Sequence, residues 1–197
     1  MFINKKPHII YCFKKKYSII YQENGPKEFF YGFDYVKNYL PSLSISSNNY
    51  PKNHPLKIVE KILAQLSKVG CHFQIYLNNK ELFKSNPNSV IFGVEDGTSF
   101  GVLFFKLIGV LNNKTIVLIQ GLHDRYQNYK FFRWNKPLVY FYAKLLNKAD
   151  IILTLSKYEK DLLVKSFNLN SEKIKVLNFG ADLNYWNKKR VSSQNTS

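Results

Sequence analysis

Residues 149–186 constrain the fold of this chain more than any other part of the sequence. Residues 151–155 form a short apolar run rich in β-branched side chains, which predicts a buried strand. Ser156 follows with Glu159 three residues later, the capping-box pattern of a helix start, and apolar residues then recur at helical spacing. Residues 173–179 alternate as a second strand. A strand, a helix and a strand this close together predict a βαβ unit with parallel strands.

The alternation of strands and helices continues through the rest of the chain. Apolar runs predict strands at residues 9–13, 43–45, 71–77, 90–94 and 115–120, and helical periodicity predicts helices at 28–40, 56–69, 100–110 and 137–147. Residues 78–88 read as a short polar connection that could contain one helical turn. The helix at 100–110 is apolar nearly all round, which predicts the most buried helix. We therefore expect an α/β fold, a Rossmann-like three-layer sandwich around a mostly parallel sheet.

The composition is that of one globular domain with a basic surface. We expect the domain to span residues 1–187, followed by a polar, disordered tail at 188–197. The formal net charge is +16, but only three of the 29 basic residues are Arg. Because Arg is the residue expected for bidentate phosphate and base recognition, nucleic-acid binding is disfavoured. Binding of the basic surface to anionic lipid, or to a polyanion, is an alternative that stays open.

The cysteines and the hydropathy of the chain indicate the cellular compartment in which the protein is expected. Cys12 and Cys71 lie in apolar runs, which suits buried thiols in a reducing environment. No secretory signal is visible, and the longest apolar stretch, at 100–111, contains Lys106 and is too short to span a bilayer. We expect a cytoplasmic protein, or one that lies peripherally on the inner face of a membrane.

The order of short motifs in residues 149–186 resembles a family signature. Ala-Asp, an apolar strand, Ser, a helix, an Asn-bearing turn, a Lys-Ile-x-Val-Leu strand and a Gly-x-Asp-x-x-aromatic end follow one another. This order is similar to the end of the N-terminal domain of GT-B glycosyltransferases of family 4. Residues 178–182 stand for that family's Asn-Gly-Val-Asp, with an inserted Phe and with Ala for Val. The resemblance covers about the whole chain in architecture, and in motif it runs from about residue 90 onward.

The resemblance implies an activity and a missing partner domain. Family 4 enzymes are retaining, need no metal and transfer a sugar, here a hexosyl group, from a nucleotide-sugar substrate to an acceptor without a further cofactor. Their second Rossmann-like domain carries the paired-glutamate motif and most donor contacts. The chain resembles the acceptor half, which we expect to be inactive or incomplete without a donor domain. It would then be a truncated product or one subunit of a split enzyme, acting on a sugar or lipid-linked acceptor.

Two alternatives to that activity stay open. The first is a non-catalytic Rossmann-like binding protein or subunit of a split glycosyltransferase. The second is a nucleotide-dependent enzyme of other chemistry.

One histidine stands just beyond a predicted strand end, where ligands bind in a parallel sheet. His123 follows the strand at 115–120, in a predicted loop at 121–129, and is adjacent to Asp124 and Arg125. Family 4 enzymes often place a His at this loop, close to the transferred sugar. The resemblance therefore implies that His123 bonds the sugar or orients the acceptor hydroxyl. The alternative is a His that caps a helix or packs on Tyr126. Arg125 could pair with an acceptor phosphate or with Asp124.

The loop predicted at 95–99 and the helix start at 156–157 contribute further candidates. Glu95 and Asp96 could orient an acceptor hydroxyl or act as a base, or they could be acids favoured by a helix dipole. Gly97 would let a backbone approach a ligand, or would supply a positive-φ turn. Lys157 at a helix start could reach a substrate phosphate.

The turn after the first strand is the place where family 4 enzymes keep a glycine-rich loop near the donor phosphate. Gly25 and Lys27 occupy that place here, without tandem glycines. No Gly-x-Gly-x-x-Gly fingerprint and no spaced His/Cys cluster for zinc occurs in the chain.

Overall fold

The structure is a computed structural model that describes residues 8–12, 43–46 and 54–177, with the backbone alone at 43–46. Several sequence predictions fall outside these residues. They are the helix at 28–40, the turn with Gly25 and Lys27, residues 178–182, and the domain end with its polar tail.

Six strands in the described residues form one parallel sheet, which confirms the predicted α/β fold. The sheet order is β2-β1-β3-β4-β5-β6, and every neighbouring pair is parallel. The strands are β1 Ile9–Cys12, β2 Leu43–Ser46, β3 Val90–Gly93, β4 Lys114–Leu118, β5 Ile151–Thr154 and β6 Ile174–Val176. The order reverses direction at β1, so the crevice between the carboxyl ends of β1 and β3 is the switch point of the sheet.

Seven α-helices in the described residues surround the sheet. They are α1 Leu56–Ser67, α2 Gln74–Ser85, α3 Asp96–Leu107, α4 Leu122–Asn128, α5 Lys130–Trp134, α6 Lys136–Asn147 and α7 Lys157–Phe167, and a 3-10 turn at Ser171–Lys173 precedes β6. The prediction that the third of these is the most buried is confirmed, because eight of its twelve residues are buried. It begins at Asp96, four residues before the predicted start, so most of the predicted loop at 95–99 is its first turn.

The strand predicted at 71–77 is wrong, and so is most of the polar connection predicted after it. Residues 74–85 form α2, which buries Ile75, Tyr76 and Phe83. The ring of Tyr76 stacks on that of Phe105 with centroids 4.2 Å apart. The polar residues between Tyr76 and Phe83 form the outward face of an amphipathic helix. In the sequence, the aromatic run before them imitates strand alternation and the polar run imitates a loop.

A carboxylate joins α3 to the amino ends of β4 and β5. Asp150 Oδ2 accepts from Lys106 Nζ at 2.5 Å and from the backbone N–H of Thr115 at 2.7 Å. Burial raises the pKa of Asp150, but the hydrogen bonds from Lys106 and Thr115 outweigh it, so the pKa lies below its usual value. No helix in the described part of the chain is long and apolar enough to cross a bilayer.

Candidate functional site

The carboxyl ends of β3 and β4 border an open cleft of about 400 Å³. Its lining residues come from the end of α1, the start of α3 and the β4–α4 junction: Lys68, Val69, Gly70, Glu95, Asp96, Gly97, Gln120, Gly121 and Arg125. The structure therefore brings together four of the residues predicted for the site, Glu95, Asp96, Gly97 and Arg125. His123, Asp124 and Lys157 lie outside this lining.

Asp96 connects the ends of the two strands beside the cleft. It is the first residue of α3, and its Oδ1 accepts from the backbone N–H of Gln120 at 2.8 Å. Its Oδ2 accepts from the backbone N–H of Gly121 at 2.9 Å. Two charge-assisted hydrogen bonds to backbone amides hold the carboxylate in place. The observed contacts of Asp96 thus position the β4–α4 junction.

Glu95 occupies the N-cap position of α3 with an extended backbone, and its side chain makes no cap hydrogen bond. Its backbone carbonyl accepts from the N–H of Ser99 at 2.8 Å and from Thr98 Oγ1 at 3.2 Å. The residue is buried, and it forms part of the cleft wall. The Glu95 carbonyl thus accepts the first helical hydrogen bond of α3, and the residue lines the cleft.

Position 97 has no room for a side chain, because a histidine ring lies against Gly97. The predicted positive-φ turn is wrong: Gly97 is helical, and Gly109 is the positive-φ glycine among the described residues. A Cβ on Gly97 would lie less than 3.0 Å from two atoms of the His72 ring, and the ring also lies close to Gly70. The backbone N–H of His72 donates to the carbonyl of Gly97 at 2.7 Å. His72 thus supports the cleft floor, a role that nothing in its sequence context indicates.

The predicted loop at 121–129 is wrong, because residues 122–128 form the short helix α4. Leu122 is its buried residue. Because the rest of the segment is mostly polar, the sequence shows no apolar repeat at helical spacing. Residues two positions apart on a helix point about 200° apart. Arg125 therefore faces the cleft, while His123 lies on the other side of α4, toward α7.

Arg125 is held only loosely by its neighbour. Its Nη1 lies 4.0 Å from Asp124 Oδ2, and both side chains are exposed. Asp124 Oδ1 also accepts from Asn128 Nδ2 at 2.7 Å. An exposed pair at this distance contributes little to stability. The guanidinium is thus available to an anionic ligand in the cleft.

His123 forms a pair with a buried carboxylate. Its Nδ1 lies 2.9 Å from Glu159 Oε1, and the two side chains are 23% and 8% exposed. Glu159 Oε2 accepts from the backbone N–H of Leu155 at 2.7 Å, so both carboxylate oxygens have a donor. The ring contact of His123 is with Tyr158, edge to face at 6.4 Å between centroids. Tyr126, the predicted alternative packing partner, contacts Phe132 and Phe167.

The carboxylate fixes the proton position on the imidazole. An ionised carboxylate only accepts hydrogen bonds, so the Nδ1 of His123 must carry a proton. In the neutral ring, Nε2 is then the acceptor that remains for a ligand. The partially exposed ring could bond a hydroxyl group or receive its proton.

Glu159 has this role because the predicted capping box takes an unusual form. Ser156 Oγ accepts from the backbone N–H of Glu159 at 3.1 Å, which confirms the predicted cap. The Glu159 side chain reaches the N–H of Leu155, not that of the cap residue. Its second oxygen is therefore directed to His123 on the neighbouring crossover. The capping pattern was visible in the sequence, but the link to His123 requires the sheet order.

Lys157 is the first residue of α7 and is exposed, next to Tyr158. It lies on the β5 side of the site and not in the cleft lining. Within the described residues, no group of three or more His, Cys, Asp or Glu could hold a metal ion.

Comparison with known proteins adds no assignment. No protein-family model matches the chain, and no curated protein sequence matches it. The functional conclusion therefore depends on the residues and geometry described above.

Proposed function

We propose that this chain is the acceptor-binding half of a retaining GT-B glycosyltransferase that transfers a hexosyl group from a nucleotide-sugar. The observation that carries the proposal is the imidazole of His123, held by buried Glu159 at the carboxyl edge of a parallel sheet. Its position after β4 agrees with the histidine of the family that the sequence resembles. A cytoplasmic location, where the donor would reach it, belongs to the same proposal.

The chemistry of the cleft suits a hydroxyl-rich ligand. Sugars need donors and acceptors at close spacing, and buried polar groups discriminate strongly between ligands that pair with them and ligands that do not. The cleft lining includes the acidic residue Glu95, and Arg125 and Lys68 supply cations. The cations could bind a phosphate on the acceptor. Metal-free transfer is part of the proposal.

In this proposal the chain supplies orientation. The Nε2 of His123 accepts a hydrogen bond from a hydroxyl of the transferred sugar or of the acceptor, and Glu159 holds the ring in the correct tautomer. The nucleotide-sugar would be held mainly by a donor domain, in the same polypeptide or in another one. Glu159 is therefore a positioning residue. His123, on the other side of α4 from the cleft, would touch a sugar hydroxyl, while Arg125 and Lys68 would hold the acceptor in the cleft.

A non-catalytic binding subunit is the second candidate, and one observation favours it. Both oxygens of Asp96 hold backbone amides, so one of the two acids predicted as a base has a structural role that explains it. A protein that binds a glycan without transferring it would need the same cleft and no base.

Titration of the full chain with sugars, followed by NMR, tests the binding part of the proposal. The ligands are methyl hexosides, hexose 1-phosphates and nucleotide-hexoses, and the signals are the His123 ring and the Gly121 amide. We expect both signals to shift with one acceptor-type sugar, with weak binding of the nucleotide-hexoses. His123→Ala should weaken sugar binding about five-fold or more, the equivalent of one hydrogen bond of about 1 kcal/mol.

His54→Ala is the matched control, because His54 lies at the start of α1 and, within the described residues, its ring accepts a local hydrogen bond from the N–H of Leu56. Binding that survives His123→Ala unchanged, or shifts confined to residues away from the sheet's carboxyl edge, would refute the proposal.

A further inference from the structure

Every charged residue in the stretch from residue 125 to residue 149 is a Lys or an Arg. The stretch contains six Lys or Arg residues and no Asp or Glu. All six are exposed: Arg125, Lys130, Arg133, Lys136, Lys144 and Lys148. The stretch covers helices α5 and α6, so its charge is presented on structured backbone.

Helix α5 places its aromatic residues outward as well as inward. Phe132 is fully buried, and the opposite side of the helix, about 200° away, is centred on Lys130 and Trp134. Trp134 is 71% exposed, and Phe131 on the flank is 47% exposed. Arg133 occupies the other flank. A five-residue helix thus exposes two large aromatic side chains beside two cations.

Helix α6 follows after a single intervening residue, and its outward side has the same basic and aromatic character. Its buried residues, Leu138, Tyr142, Leu145 and Leu146, share one side. Tyr140 lies on the opposite side and is 62% exposed. Lys144 Nζ lies 5.1 Å from the centroid of the Tyr140 ring. We call the outward surface of the two helices the aromatic–basic face: Lys130, Phe131, Arg133, Trp134, Tyr140 and Lys144.

We propose that the aromatic–basic face binds the surface of an anionic lipid bilayer. Trp and Tyr rings are amphipathic and are enriched at the headgroup level of membranes. Basic side chains beside them are attracted to anionic headgroups, and stable membrane binding needs two such signals together. Both signals occur together on the outward sides of α5 and α6, and the uniform positive charge complements the negative charge of the lipid.

A nucleic acid is the competing ligand for a basic, aromatic surface. Proteins that bind single strands use a positively charged groove along which bases stack on aromatic rings. The aromatic–basic face lies instead on the outward sides of two helices, and one of its three cations is Arg. These features favour a lipid surface. The proposal does not depend on the proposed glycosyltransferase function.

The test is co-sedimentation of the full chain with vesicles of phosphatidylcholine alone and of phosphatidylcholine mixed with phosphatidylserine. We expect binding to the mixed vesicles and little to the neutral ones. Each basic residue near the surface contributes about five-fold in binding. Reversing two charges in Lys130→Glu/Arg133→Glu should therefore lower binding roughly 25-fold or more. Trp134→Ala should lower it several-fold.

Two matched controls separate this face from general positive charge. Lys80→Glu/Lys84→Glu makes the same charge change at exposed positions of α2, and Ile108→Ser removes an apolar side chain that is 52% exposed elsewhere. Both should bind nearly as the unmodified chain does. Equal losses in the controls, an unaffected Trp134→Ala variant, or no vesicle binding would each overturn the proposal. The proposal would also be overturned if the face variants weakened the binding of a single-stranded oligonucleotide but left vesicle binding unchanged.

Discussion

Glu159→Gln is the substitution that separates the structural and functional roles of the histidine–carboxylate pair. Glu159 accepts from the N–H of Leu155 and lies 2.9 Å from the Nδ1 of His123. A glutamine side chain has one acceptor oxygen and one NH₂ group, which can only donate. The backbone amide can only donate, so the glutamine oxygen is expected to stay at Leu155. Its NH₂ group then faces Nδ1, and the imidazole must switch to the tautomer protonated at Nε2.

The stability cost follows from the contacts that change. Hydrogen bonds to charged groups contribute about 1.5–3 kcal/mol net and neutral ones about 1 kcal/mol, so the substitution should cost about 1–3 kcal/mol. For a chain of this length each kcal/mol corresponds to roughly 2–4 °C in Tm. Glu159→Ala leaves the N–H of Leu155 and His123 without this acceptor, and it should cost about 3–5 kcal/mol.

Two measurements check this prediction. Urea unfolding gives the free-energy change, and long-range ¹H–¹⁵N NMR of the imidazole nitrogens identifies the tautomer. Lys160→Gln is a control on the same helix that removes a charge without touching the pair. An unchanged tautomer in Glu159→Gln, or a stability equal to that of the control, would show that the carboxylate does not hold the ring.

Three further predictions follow from other contacts. Gly97→Ala should destabilise the fold by about 1–3 kcal/mol because its methyl group overlaps the His72 ring, and urea unfolding should show much of this loss recovered in a His72→Ala background. Asp150→Asn should cost about 1 kcal/mol at neutral pH, since the half-exposed carboxylate is bonded by Lys106. The pKa of Asp150 is lowered on folding, so its contribution is present above about pH 4 and is lost as the pH falls through the folded pKa; unfolding of both forms against pH should show the difference vanish in acid. Burial raises the pKa of the Cys71 thiol, so a thiol reagent should react with it only after urea unfolding, and rapid reaction of the native chain would contradict the burial.

The sequence predicted the elements whose local pattern and tertiary environment agree. Strand β5 and helix α7 were predictable because the capping Ser156 and the apolar run act locally, and the structure confirms the cap. Strands β3 and β4 are buried on both faces, which leaves them as apolar runs with little ambiguity. The parallel sheet then follows from the alternation of elements.

Errors arose where packing partners from distant sequence decide the structure. Helix α2 looked like a strand because Cys71, Phe73 and Ile75 alternate with polar residues in the sequence. In the structure Phe73 and Tyr76, three residues apart as on one side of a helix, both contact the Phe105 ring. Helix α4 is too short and polar to show periodicity. The same limit applies to the site: the carboxyl edge was predictable, but the pairing of His123 with Glu159 depends on two crossovers that lie side by side.

The most direct test of the central claim is the rate of hexosyl transfer. It is measured on the chain in complex with the donor domain that it binds in its own cells. Affinity-tagged chain would be recovered with its bound partners and assayed with radiolabelled nucleotide-hexoses, with His54→Ala as the control. We predict transfer with retention at the anomeric carbon, reduced by at least ten-fold in His123→Ala and unchanged in the control. Transfer that is absent, or equal in the two variants, would contradict the role of His123 at the sheet edge.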